Sequence, residues 1–61
     1  MANLTSKELT ALEDQINYEQ VLVKKYHAMA YFCSDNKIKT DLEGIASKHK
    51  QHYDRLMTFL Q

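Results

Sequence analysis

With 61 residues and 7.2 kDa the chain accommodates one domain at most, and a fold of that size buries only roughly 60% of the surface its unfolded form exposes. Eight lysines and arginines balance eight aspartates and glutamates, which argues against a dedicated nucleic-acid binder with its basic stripe. Proline is absent, Gly44 is the single glycine and Cys33 the single cysteine, which excludes an intrachain disulfide and argues against an all-β fold or a glycine-rich phosphate loop.

The first element is signalled by Thr5-Ser6-Lys7-Glu8, a capping box in which hydroxyl and carboxylate each satisfy an orphan amide. No breaker follows until Cys33-Ser34-Asp35-Asn36, a cluster of turn and N-cap formers. The sequence therefore predicts a helix over about 6–33, a turn at 34–35 and a second helix over about 36–60. No apolar run approaches the roughly 20 residues that span a bilayer, and no signal-peptide pattern opens the sequence. The expectation is a small cytoplasmic helical protein, with neither membrane nor nucleic acid as partner, that associates to complete its core.

Both helices carry a heptad seam. Leu9, Leu12, Ile16, Glu19, Val23, Tyr26, Ala30 and Cys33 follow 3-4 spacing in the first. Ile38, Leu42, Ile45, His49, His52, Leu56 and Phe59 do so in the second. A short turn between long helices gives an antiparallel hairpin. Leu22, Met29, Phe32, Met57 and Leu60 widen the apolar face beyond one seam. The predicted fold is thus all-α: a helical hairpin whose homodimer closes a four-helix bundle.

Glu19, His49 and His52 break the apolar rule of the seams. At 1.5 Å rise per residue, Glu19 before the turn and position 50 after it both lie about 23 Å from it. The carboxylate and two imidazoles thus share one layer, and the i, i+3 spacing of His49 and His52 puts them on one helix face. Bundle metal sites are built from such a layer. Three residue-level readings stand side by side: a metal site, a metal-free hydrogen-bonded layer, or a seam rotated so that these groups face water. Tyr26 lies two turns from Glu19, where its hydroxyl could support the ligands. His27 falls off the seam, in solvent. Gly44 either lets helices approach closely or is neutral. No nucleophilic triad is apparent, since Cys33 lies about two dozen ångströms from His49 along the bundle.

Glu19 followed seven residues later by Tyr26 resembles the first helix of a ferritin-like or rubrerythrin-like half-bundle. Ile38 through Leu42, Ile45 and Ala46 to His52 and Leu56 resembles its second helix, which in that superfamily carries Glu-x-x-His. The motif here reads His49-Lys50-Gln51-His52, similar to the spore coat protein F branch. The resemblance spans roughly Leu9 to Leu60. It implies a ferritin-like four-helix bundle, often with a two-metal carboxylate site, and a place in the spore coat among its proteins as the alternative to the cytoplasm. This chain supplies half a bundle, so the site forms across a homodimer.

The usual set of four carboxylates and two histidines becomes two carboxylates and four histidines. Such a set suits one or two divalent ions per dimer, such as Fe, Zn or Mn. It weighs against oxygen-activating di-iron chemistry. The reading leans away from an enzyme. A structural assembly module and, less favoured, an iron- or peroxide-handling oxidase stand as alternatives.

Overall fold

The structure, a computed structural model, describes residues 3–61. Helix α1 runs Ser6–Tyr31 and helix α2 Asn36–Met57, followed by a 3-10 turn, Thr58–Leu60. The helices pack along their length as an antiparallel hairpin, and no strand occurs among the described residues. The Cα trace extends 46 by 15 by 11 Å.

Both helix starts follow the sequence signals. The Thr5 hydroxyl accepts from the Glu8 amide at 3.1 Å, and the Thr5 amide donates to Glu8 Oε1 at 3.0 Å. Those bonds, first the one from the Thr5 backbone, hold the exposed Glu8 carboxyl below its usual range. Asp35 caps α2 by accepting from the Ile38 amide at 2.9 Å.

The helix ends differ from the expected bounds. α1 stops at Tyr31, and Phe32 closes it by donating to Ala28 O at 3.2 Å. Cys33 then donates to Ala30 O, which tightens the exit so that Cys33 falls in the turn. At the other end the last helical residues wind into 3-10, as terminal turns often do. No described residue adopts positive φ.

Few side chains are buried. Ile16, Ala30 and Ala46 form the apolar core, with Glu19 the one buried charged residue among those described. Leu12, Leu22, Val23, Leu42, Tyr53, Leu56 and Met57 are half-buried. The α1 seam faces α2 as expected, except that Leu9 is exposed.

The α2 seam splits. Leu42, His49 and Leu56 turn towards α1. The other half, Ile38, Ile45, His52 and Phe59, recurs every seven residues and lies exposed. Gln15 lines one groove with His52 and Phe59, so the α1 row Gln15, Leu22 and Met29, also seven apart, lies on the same side. We call this side the front. A groove on the opposite side is lined by Gln20, Val23, Lys24, Lys50 and Tyr53. One seam thus serves two neighbours, the partner helix and the front.

Gly44 meets open space where a Cβ would stand, so close helix approach does not require it. Removing its backbone entropy should stabilise the helix. Gly44→Ala should raise stability by about 1 kcal/mol, or about 4–8 °C in Tm, in thermal unfolding followed by circular dichroism.

Candidate metal centre

Glu19 is the fourteenth residue of the 26 in α1, and His49 the fourteenth of the 22 in α2. Antiparallel packing therefore sets them side by side near mid-length. Glu19 Oε1 lies 2.6 Å from His49 Nδ1 and 3.6 Å from His52 Nδ1. One donor atom from each of the three falls within 4.8 Å of the other two. The three burials are graded: Glu19 is buried, His49 half-buried and His52 exposed.

The carboxylate is held from both sides. Gln15 Nε2 donates to Glu19 Oε2 at 3.1 Å, while Oε1 takes the contact with His49. Desolvation pushes the Glu19 carboxyl up. The hydrogen bonds from His49 and Gln15, with the charges of His49 and His52, together outweigh it and leave the group below its ordinary value of 4.5. The ionised form is therefore favoured, which a metal ligand requires.

This direction fixes a pH dependence. A carboxyl lowered on folding contributes stability above its unfolded value, and that contribution is lost as pH falls through the lower folded value. The metal-free protein should therefore lose stability as pH drops below about 4.5. Glu19→Gln should flatten that slope in denaturant titrations run between pH 7 and 3.

Tyr26 reaches the layer through its ring face. It stacks on His49 with centroids 5.7 Å apart and planes 12° from parallel. His49 in turn meets His52 edge-on, at 5.7 Å and 84°. The His49 ring is thus bounded by an aromatic face, an imidazole edge and a carboxylate.

Two contacts were missed in the sequence. Gln15 precedes Glu19 by four residues, the spacing that lets helical side chains meet. His27 is exposed, as expected of a residue in solvent, yet it contacts Glu43 at 3.2 Å across the hairpin. Counting residues from the turn, as done for Glu19, places 27 and 43 at one height. Cys33 is half-buried and its thiol donates to Asp35 O at 3.5 Å. Neither His27 nor Cys33 joins the Glu19 layer.

The donor set fits a divalent transition ion. Bonds of 2.0–2.1 Å in tetrahedral geometry give ligand–ligand edges of about 3.3 Å. The Glu19–His52 separation of 3.6 Å is close to that edge. The Glu19–His49 contact at 2.6 Å is a hydrogen bond and would have to open slightly. One carboxylate and two imidazoles are a recognised ligand set for Fe(II) and, by donor softness, for zinc.

The uncharacterized protein YuzM of Bacillus subtilis (strain 168) is 33% identical to this chain over 58 residues, or 95% of this chain and 72% of YuzM. The chain belongs to the family of YuzM. No family model matches the sequence, and no solved structure matches it. No helix among the described residues is long and apolar enough to cross a membrane.

Proposed function

We propose that the chain is a ferritin-like half-bundle that holds a divalent transition metal (Fe, Zn or Mn) through Glu19, His49 and His52. The observation that carries this reading is the convergence of three donors from two helices in one mid-length layer. The role is retention of metal rather than turnover, in the cytoplasm or, following the resemblance to spore coat protein F, in the coat. When bound, the ion would supply a Lewis-acidic centre tying α1 to α2. Glu19 provides the charge, Gln15 fixes its second oxygen, and Tyr26 orients the His49 ring.

Tag-free protein should be incubated with Fe(II), Mn(II) or Zn(II), desalted and measured by elemental mass spectrometry. Retention of one or two ions per pair of chains supports the reading. Protein that stays empty with all three overturns it. Tyr26 adds a finer test. If ring stacking orients His49, Tyr26→Leu should weaken Zn(II) affinity about tenfold in a competition titration, while Tyr26→Phe should leave it unchanged.

A second reading has its own observation. The Glu19–His49 hydrogen bond already satisfies the layer, and no described buried side-chain polar atom lacks a partner. On this reading the layer is a metal-free specificity device in an assembly module. The same desalting experiment separates the two.

A further inference from the structure

The front of the hairpin leaves large apolar side chains in water. Ile38 is 52% exposed, Phe59 46%, Met29 44% and Ile45 39%. The opposite side carries Lys24, Lys50 and the His27–Glu43 pair. The front thus carries a stripe of exposed apolar side chains recurring every seven residues, the kind of surface that a partner covers.

We infer that a second copy of this chain docks on the front, and that the pair shares one divalent cation on its two-fold axis. The second part rests on the metal reading above. Three observations specify the partner and the sharing.

The first is area. A face of 46 by 15 Å projects to roughly 700 Å². That is of the same order as the about 800 Å² that each partner buries in stable interfaces. Covering the front therefore takes an apolar surface of the same length and width, which a second hairpin provides.

The second is position. The Glu19 layer lies near mid-length. Pairing the fronts about an axis along the helices superposes the two layers at any height. Pairing them about a perpendicular axis superposes them only when the layer is central, as it is here. His52, the most exposed ligand, lies on the front itself. Each chain's site is open on the side where the other would sit.

The third is charge. Two Glu19 carboxylates balance one divalent ion. A second ion would leave two uncompensated positive charges in a layer withdrawn from water, which is strongly unfavourable. Arg55 lines the same groove as Glu19 and His52 and makes an added cation costlier. This count departs from a two-metal centre.

Light scattering and native mass spectrometry on protein titrated with Zn(II) test both parts. Twice the chain mass, with binding that saturates at half an ion per chain, is the expected result. Ile45→Glu should give monomers whose Zn(II) affinity is at least tenfold weaker, although all three ligands remain. Circular dichroism reports whether that variant stays helical. If it does not, wild-type protein diluted below its dimer dissociation constant should show the same loss of affinity. A monomer that binds one ion per chain overturns the inference and leaves the metal reading standing. A dimer holding two ions overturns the shared cation. A dimer that stays empty overturns the metal reading and the shared cation with it.

Discussion

Glu19→Gln should abolish retention of divalent metal on desalting while helix content stays unchanged. The amide keeps the shape of the carboxylate and can still accept from Gln15 through its oxygen while its NH2 group donates to His49 Nδ1, so the hairpin has no reason to open. What it loses is the negative charge, and Glu19 is the one carboxylate in the layer. Two neutral imidazoles alone hold a divalent ion far more weakly than a set with a charged ligand, and losing a direct ligand exceeds the 10–100-fold effect of losing a supporting residue. Zn(II) affinity should therefore fall by more than about a hundredfold, measured against a chromophoric chelator. Unchanged affinity would place the ion elsewhere and remove the basis for the proposed site.

On the proposed reading, an ion that bridges α1 and α2 would act as a cross-link in a chain with a single cysteine. It would give a small core what disulfides give other scaffolds of this size. Mid-length is where such a link holds most of both helices in register. Protein loaded with metal would then be stabilised by mass action in proportion to the logarithm of free ion.

Much of this was legible in the sequence, for identifiable reasons. Thr5 and Asp35 announce the two helix starts because caps are local chemistry. The Glu19, His49 and His52 layer follows from residue counts, because helical rise is constant and the turn is short. Other features needed coordinates. Heptad spacing shows that Ile38, Ile45, His52 and Phe59 share a stripe with Leu42, His49 and Leu56. It does not show which half of that stripe faces α1. Tyr26 was expected to act through its hydroxyl, but the contact with His49 is a ring stack, since rotamer and register decide which part of the side chain arrives. The helix ends shifted by two or three residues because no glycine or proline fixes them.

Replacing both members of the central pair, Glu19→Leu with His49→Leu, should stabilise the metal-free protein by about 1–4 kcal/mol, whereas either change alone should destabilise it. The pair withdraws a carboxylate from water, and the 2.6 Å contact with His49 and the bond from Gln15 return only part of that cost. Two leucines at these positions would continue the apolar seams through the layer, beside Ile16, Val23 and Leu56. His49→Leu alone leaves Glu19 buried without its closest partner, so the loss should be about 1–3 kcal/mol. Glu19→Leu alone costs less, because the half-buried imidazole can stay neutral and reach solvent. Urea unfolding of the four proteins in a chelator closes the double-mutant cycle. A double variant less stable than wild type would mean that the polar layer itself holds the hairpin together, and the metal reading would lose its reason for keeping a costly pair. A more stable double variant that no longer retains metal would show that the chain gives up stability for the ion.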